Sequence, residues 1–312
     1  MTTRPSRIWL VGVAAMVAVV VAVWIWWPHG SRARHATGWQ TQTDLPLLVD
    51  SPRGIAVGRT GDVYVVESGS VQWLAAGRFL PQRLAVPELK SPYSLAIGPA
   101  EELYATDYGA ERILRIAPDR KSTVALPLSV ASGQDSGRAG HSYDAGVAVD
   151  RAGIVYATDP EHARILRLPA GGAPEVLANV DRLRAPIAVS DSGDVIVYVA
   201  EPNPTLLTFR AGKPPATPTP IPDLKFVEAL TVDHHGNLLL ADDVFEPAAE
   251  DGSRPSRTTA ALWRLTPGAR TPTRLPYTDL GTVAGLTVDS ADTIYFTDNS
   301  QFGRVVRLSP AP

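Results

Sequence analysis

Six repeats of one short pattern predict that this 312-residue chain folds as an all-β, six-bladed β-propeller. Each unit contains a short apolar run followed by a tetrapeptide close to Tyr-x-Thr-Asp, with the acid last. In five units the run starts 13 residues before the acid, whereas the fourth unit has two extra residues near Val195. A period of roughly 40–45 residues with several strands per unit is typical of propeller blades. The acids are Glu67, Asp107, Asp159, Glu201, Asp242 and Asp298.

The third unit shows why each repeat should form four antiparallel strands. Residues 146–149 are a short apolar run, and residues 150–153 are a turn that ends in glycine. Residues 154–158 are rich in β-branched and aromatic side chains, as strands are. Residues 164–168 and 174–177 supply the third and fourth strands. Because no later segment has a helical apolar period, we predict that everything after residue 37 is β-structure.

The last unit lacks a fourth strand, which indicates how the ring closes. Residues 304–308 are its third strand, and the remaining residues are few and rich in proline. Residues 40–45 lie at the same distance before Gly54 as residues 82–84 lie before Ser94. We therefore expect residues 40–45 to complete the last blade as its outermost strand, which would remove an exposed sheet edge.

Residues 8–27 predict a transmembrane helix, since 20 residues without a charge can cross a hydrocarbon core of about 30 Å. Trp9 lies at one end, and Trp24, Trp26 and Trp27 lie at the other, where interfacial aromatic side chains are common. A cleaved signal peptide is the alternative, with cleavage after Ala33. Arginines flank the span on both sides, and the short N-terminal tail favours a cytoplasmic N-terminus with the propeller outside the cytoplasm.

We therefore divide the chain into four parts: an N-terminal tail (1–7), a signal anchor (8–27), a linker (28–37) and one propeller domain (38–312). The absence of cysteine excludes disulfides and a lipoprotein anchor. The net charge of −3, with no basic stripe, argues against nucleic-acid binding. We expect a single-pass protein of the cell membrane whose propeller is monomeric.

The repeats resemble the NHL family, on residues 51–57 followed by 61–67, and again on 146–150, 153–159 and 164–168. The resemblance covers nearly all of residues 38–312 and implies a six-bladed propeller. With an anchor, the layout is similar to the external sensor domain of actinobacterial receptor-type serine/threonine kinases. The kinase motifs are missing from this chain. The usual asparagine-rich loop after the acid is also replaced, for example by Glu111-Arg112.

The repeated acids are expected to stabilise turns, because a carboxylate at the end of the second strand can accept backbone N–H groups of the following loop. Six carboxylates around one rim could also hold a divalent cation such as calcium. No other cofactor is implied.

Two insertions depart from the repeat and predict a binding face. Residues 127–145 are about ten residues longer than their equivalents, and residues 243–260 about fourteen longer. Strand parity places both on the same face, where long loops on a rigid scaffold carry binding residues. The alternative is harmless drift in surface loops. Candidate binding residues on this face are Arg53, Tyr93, Tyr108, His141, Tyr143, Asp144, Glu161, His162, Glu228, Asp242, Asp243, Asn299 and Gln301. His234 and His235 lie in a turn of the opposite face, where we expect them to be solvent-exposed.

Three enzyme classes on similar propellers were compared with these residues. Gluconolactonase-like propellers hold a divalent metal through Glu, Asn and Asp side chains, but this chain has Arg53, Tyr93 and Val227 at the corresponding places. Peptidyl amidating lyases use several histidines for zinc, and His141 alone is suitably placed. Streptogramin-lyase-like chemistry needs a His base, which His141 or His162 could supply with Glu228 or Asp242.

The residues favour a sensor or scaffold module that binds an envelope protein, peptide or glycan. A metal-dependent propeller lactonase or lyase is the alternative function, and a structural role is the third.

Overall fold

The computed structural model describes residues 34–36, 40–47, 49–107, 110–121, 123–128, 145–247, 257–277, 280–299 and 303–310. Within these residues the predicted all-β propeller is confirmed. The strands form six antiparallel sheets, five with four strands and one with five. The predicted span at residues 8–27 lies outside the described residues, and no helix within them is long and apolar enough to cross a bilayer.

Two strands precede the first blade, and blades 1 to 3 follow in order along the chain. The first two are β1 (Arg34–Ala36) and β2 (Gln40–Asp44). Blade 1 has β3 (Ile55–Val57), β4 (Val63–Glu67), β5 (Ser70–Leu74) and β6 (Gln82–Arg83). Blade 2 has β7 (Pro92–Ile97), β8 (Leu103–Asp107), β9 (Arg112–Ile116) and β10 (Thr123–Pro127). Blade 3 has β11 (Val147–Val149), β12 (Val155–Asp159), β13 (Arg164–Leu168) and β14 (Glu175–Asn179).

Blades 4 to 6 repeat the arrangement. Blade 4 has β15 (Leu183–Val189), β16 (Val195–Val199), β17 (Thr205–Phe209) and β18 (Ala216–Pro220), with a 3-10 turn at Arg210–Gly212. Blade 5 has β19 (Val227–Val232), β20 (Leu238–Glu246), β21 (Arg257–Leu265) and β22 (Thr273–Arg274). Blade 6 has β23 (Val283–Val288), β24 (Ile294–Asp298) and β25 (Arg304–Pro310).

The ring closes as predicted, since β2 pairs antiparallel with β25 from Gln40 opposite Pro310 to Asp44 opposite Val306. The strand β2 is not the outermost one, however, because β1 pairs with its other side. Residues 34–36 were predicted to belong to a linker, and this part of the prediction is wrong. Three residues are too few for a periodic pattern to mark them as a strand.

The core is divided into six apolar clusters, one at each boundary between neighbouring blades. Between blades 1 and 2, for example, Val66 and Val71 pack with Ala105 and Leu114. The cluster between blades 6 and 1 joins Val305 to Val65 and so depends on the closed ring. Each blade therefore buries both of its faces against its neighbours, which is why the strands carry long apolar runs.

Strand direction defines two faces of the ring. The top face carries the loops between blades and the loops between the second and third strands of each blade. The bottom face carries the turns between first and second strands and the loops between third and fourth strands. Of the described candidate residues, Arg53, Glu161, His162 and Asn299 lie in loops of the top face, whereas Tyr93, Glu228, Asp242 and Asp243 lie in strands at their top-face ends.

Candidate functional site

Four of the repeated acids hold loops of the top face: in blade 3 Asp159 accepts the N–H of His162 in the following loop, as predicted, whereas in blades 2, 5 and 6 the acid accepts N–H groups of the loop that enters the blade. In blade 2, Asp107 is fully buried, and its Oδ1 accepts the N–H groups of Lys90 at 3.0 Å and Ser91 at 2.8 Å. These residues belong to the loop that enters the blade, not to the loop that follows the acid. Arg112 Nε donates to the second carboxylate oxygen at 3.1 Å. The carboxylate thus joins three segments of one blade.

In blades 3 and 6 as well, the arginine that begins the third strand donates to the acid that ends the second strand. Arg164 Nε donates to Asp159 at 2.8 Å, and Arg304 Nε donates to Asp298 at 2.7 Å. Protein donors occupy these three carboxylates, and among the described residues the acids of the rim do not form a group of potential metal ligands. The arginines were not predicted as partners, although each follows its acid by five or six residues in the sequence.

The central channel at the top face is narrow. Its cavity has a volume of about 70 Å³ and is lined by the first residues of the inner strands. Glycine stands at this place in blades 1, 3 and 6, where it allows neighbouring inner strands to approach closely. A Cβ at Gly146 would lie 2.0 Å from the Ala185 carbonyl oxygen, and one at Gly285 would lie 2.4 Å from the Arg53 carbonyl oxygen. Since one water occupies about 30 Å³ in the liquid, the cavity holds water but not an organic substrate.

Two predicted candidates, Tyr93 and Glu228, line this cavity. The Arg53 guanidinium lies 5.1 Å from the centre of the Tyr93 ring, within the range of a cation–π contact. Glu228 accepts a hydrogen bond from Arg184 at 3.3 Å. Arg184 was not predicted, although it is a charged residue inside the otherwise apolar strand β15 and precedes the channel-lining position by one residue.

The Asp243 carboxylate interacts electrostatically with Asp242, its neighbour in β20, and with Glu228, which lines the channel. Asp242 is buried, and its Oδ1 accepts the N–H groups of Lys225 and Phe226. Among the described residues no arginine contacts this acid, and burial raises the pKa of Asp242.

The neighbouring residue Asp243 has a carboxyl group whose pKa is also raised. Burial, with the Glu228 charge as the second cause, raises the pKa of Asp243 from 3.8 to about 7. Its Oδ1 is buried and has no hydrogen-bond partner among the described residues. A carboxyl group that changes charge near neutral pH beside a channel is a candidate proton donor or acceptor.

The other described candidates are held at the rim and do not line the channel. The His162 Nδ1 lies 2.9 Å from both carboxylate oxygens of Asp159. Asn299 is exposed, and its backbone N–H donates to the Thr282 carbonyl oxygen at 2.8 Å. Five candidates lie outside the described residues: Tyr108, His141, Tyr143, Asp144 and Gln301. Most of the insertion at residues 127–145 lies outside them as well.

The described parts of the second insertion, residues 243–246 and 257–260, extend two strands and do not form a free loop. Strands β20 and β21 have nine residues each and remain paired from Leu238 opposite Leu265 to Glu246 opposite Arg257. The inner strand β19 stops at Val227, opposite Asp242. The four pairs beyond that point form a two-stranded ribbon on the top face, which we name the blade 5 ribbon (residues 243–246 and 257–260).

The blade 5 ribbon carries exposed apolar side chains that sequence reasoning missed. Val244 is 38% exposed and Phe245 is 62% exposed. Phe226, whose carbonyl oxygen accepts the Asp243 N–H at 3.0 Å, is 55% exposed. We name these three residues the apolar patch. Val244 and Phe245 were assigned to a loop, although a β-branched residue followed by an aromatic one is a strand signal.

Comparison with known proteins identifies the fold and leaves the family open. No protein-family model and no curated protein sequence matches this chain. Structural matches include a streptogramin B lyase, with 14% identity, a TM-score of 0.59 and coverage of 89% of this chain and 100% of that one. A gluconolactonase from Xanthomonas campestris matches with 17% identity, a TM-score of 0.64 and coverage of 90% and 93%. A chain of a nidogen/laminin complex matches with 18% identity, a TM-score of 0.58 and coverage of 76% and 85%.

These structural matches support the class of protein, a six-bladed propeller with antiparallel blades. At sequence identities this low they identify neither a family nor a function. The propeller expected from the NHL resemblance is confirmed, whereas an NHL or kinase-sensor relationship has no support from a family match. The fold hosts unrelated functions, so function has to be argued from the residues of the top face.

Proposed function

We propose that this chain is a membrane-anchored propeller outside the cytoplasm that binds a protein or peptide partner in the cell envelope through its top face. The observation that carries the proposal is the blade 5 ribbon with its apolar patch. The anchor at residues 8–27 and the external location rest on the sequence alone.

The patch is suited to a partner because its side chains are exposed on a rigid base. The strands that carry the ribbon continue into the core, where Leu240 and Ala241 are fully buried. Alternation along a strand directs Val244 and Phe245 to opposite sides of the ribbon, so apolar surface is available on both. Burying such side chains in an interface is favourable, by roughly 25 cal/mol for each Å² of apolar surface removed from water.

The edges of the ribbon also offer unpaired backbone N–H and C=O groups to a partner. The outer strand β22 pairs with Trp263 and Arg264 of β21, and this pairing does not reach the ribbon residues 257–260. The inner strand β19 likewise ends at the base of β20. Within the described residues, both edges of the ribbon therefore lack a neighbouring strand, and such edges readily pair with an extended peptide.

The size of the channel favours a macromolecular partner on the surface over a substrate in the centre. Sites for small molecules usually have volumes of about 300–1,000 Å³. The channel cavity of about 70 Å³ is well below that range. The structural match to a chain of the nidogen/laminin complex supports the proposal at the level of fold alone.

The test compares two double variants of the full-length protein. Val244→Ser with Phe245→Ser removes the apolar side chains of the ribbon. The matched control is Phe79→Ser with Leu80→Ser, which changes two side chains of blade 1 that are 80% and 79% exposed. Each anchor side chain in an interface is worth more than about 1 kcal/mol, so we expect the ribbon variant to bind at least tenfold more weakly.

Binding is measured as the proteins that co-purify with each variant from membrane extracts, followed by affinity measurements on the purified partner. The control variant should recover the same partner as the wild type. Equal recovery by the wild type and both variants would remove the role of the ribbon.

A second candidate function, a propeller hydrolase or lyase, is favoured by one observation, the Asp243 carboxyl with its pKa of about 7 beside Glu228. The matches to a lyase and a gluconolactonase support it at the level of fold alone. If this candidate is right, purified protein with added divalent metal should turn over a member of a lactone and ester panel. Asp243→Asn should then abolish the turnover, whereas Phe79→Ser should leave it unchanged.

A further inference from the structure

The bottom face contains a cluster of potential metal ligands across the boundary between blades 5 and 6. It is built by the turns between the first two strands of these blades, residues 233–237 and 289–293. One ligand atom from each of Asp233, His235 and Asp292 lies within 4.8 Å of the other two. Ligands that share a cation at about 2.0–2.2 Å lie at most about 4.4 Å apart, so only a small adjustment of these side chains is needed for all three to bind one cation.

Backbone N–H groups and the Asn237 side-chain amide already orient the two carboxylates. Asp233 Oδ1 accepts the N–H groups of His235 at 3.0 Å and Asn237 at 2.7 Å. Its Oδ2 accepts a hydrogen bond from Asn237 Nδ2 at 2.7 Å. Asp292 Oδ1 accepts the N–H of His234 at 2.9 Å, which ties the turn of blade 6 to that of blade 5. Hydrogen bonds of this kind fix the ligand geometry of metal sites.

The remaining contact joins the two blades directly. His235 Nδ1 lies 2.7 Å from Asp292 Oδ2, and the side chains are 77% and 21% exposed. As predicted from the sequence, His235 is therefore an exposed turn residue, but it faces an acid of the next blade. A bound cation would replace this direct contact between the two side chains.

The other blades provide an internal comparison. The turns of blades 3 and 6 begin with Asp150 and Asp289, whose carboxylates accept N–H groups in the same way as Asp233. Neither turn has a histidine, so the turn does not need His235. Asp292 has φ +57°, whereas four of the six blades have glycine at this left-handed position. An imidazole and a carboxylate of blade 5 thus meet a carboxylate of blade 6 at the boundary between these blades.

We propose that Asp233, His235 and Asp292 form a binding site for a zinc-class divalent cation, which cross-links the turns of blades 5 and 6. One imidazole nitrogen and two carboxylate oxygens match the ligands of Zn²⁺, which binds three protein ligands and a water in open sites. Ca²⁺ prefers six to eight oxygen ligands, so the nitrogen favours zinc over calcium.

The test is calorimetric titration of the full-length, detergent-solubilised protein with Zn²⁺ after removal of metals by a chelator. The wild type should bind one Zn²⁺ at this site. His235→Ala and Asp292→Asn should each weaken this binding at least tenfold. Asparagine tolerates the left-handed backbone at position 292, so this variant should remain folded.

The matched control is His234→Ala, since the adjacent side chain faces Asp191 and its backbone N–H to Asp292 is retained. It should bind Zn²⁺ like the wild type. In thermal melts, Zn²⁺ should raise the Tm of the wild type and of His234→Ala by a few degrees and leave the other two variants unchanged. The inference is wrong if the wild type does not bind Zn²⁺, if His235→Ala binds as tightly as the wild type, or if Ca²⁺ binds at this site as tightly as Zn²⁺.

Discussion

Replacing Asp298 by alanine should be among the most damaging single changes in the ring, although the same repeat position in blade 4 should tolerate it. Asp298 is fully buried, and it accepts hydrogen bonds from the Gly281 N–H at 2.9 Å and from Arg304 Nε at 2.7 Å. The alanine variant would leave a partly buried guanidinium and a backbone N–H without this acceptor. Such a change typically costs about 3–5 kcal/mol.

The low end of that range applies here. The Arg304 side chain retains 22% exposure and lies 3.6 Å from Asp44, which can take over part of the interaction. We therefore expect a loss of about 3 kcal/mol in the free energy of unfolding. For a domain of this size that corresponds to a fall in Tm of about 6–12 °C.

Glu201→Ala is the matched control, because Glu201 occupies the same place in the repeat of blade 4. Its side chain is 68% exposed and lies 3.4 Å from Arg182, which is itself 69% exposed. Exposed ion pairs contribute about 0–1 kcal/mol, so its Tm should change by at most a few degrees. Both variants are compared with the wild type by thermal and urea unfolding of the full-length protein. A loss below about 1 kcal/mol for Asp298→Ala, or equal losses in the two variants, would refute the reasoning.

Three further predictions concern the closure of the ring, the Asp243 carboxyl group and the membrane topology. Deleting residues 38–46 should lower the Tm and promote aggregation, because β25 would lose the five residues of β2 paired with it; an unchanged melting curve would contradict the closure of the ring. Asp243→Asn should stabilise the protein at pH 8 but not below pH 4. The raised carboxyl pKa means that the folded state binds more protons than the unfolded state between pH 3.8 and about 7, so the charged group costs stability as the pH rises. The Tm of the variant should exceed that of the wild type by an amount that grows as the pH rises across this range. A difference in Tm that does not change with pH would contradict the raised pKa of Asp243. Protease added to intact cells or spheroplasts should digest the propeller and spare the N-terminus; digestion after lysis alone would reverse the orientation, and a mature chain starting near Arg34 would show a cleaved signal peptide.

The architecture was predictable because a closed ring repeats its constraints. The apolar runs and the acids that follow 13 residues later, or 15 in blade 4, mark the inner two strands of every blade. The missing fourth strand of the last unit and the extra strand before the first unit indicate the closure between β2 and β25. The role of the acids in holding loops was also predictable, since a buried carboxylate at a strand end needs hydrogen-bond donors. Periodicity carries this information without any knowledge of loop conformation.

The candidate site was predicted only in part because it depends on departures from the repeat. Residues 243–260 were assigned to a loop from their excess length, whereas Val244 and Phe245 pair with Thr259 and Thr258 as strands do. The contact between Arg184 and Glu228 joins residues 44 positions apart, and no local pattern encodes it. The cluster of Asp233, His235 and Asp292 likewise requires the turns of two blades to meet.

Site-specific photo-crosslinking in intact cells tests the proposed binding face most directly. A photoreactive amino acid replaces Phe245 on the blade 5 ribbon and, in a separate strain, Phe79 on blade 1. Both side chains are exposed, so each probe should be accepted without loss of folding. We expect a discrete crosslinked protein adduct from position 245 and none from position 79. No adduct from position 245, or the same adducts from both positions, would contradict the account.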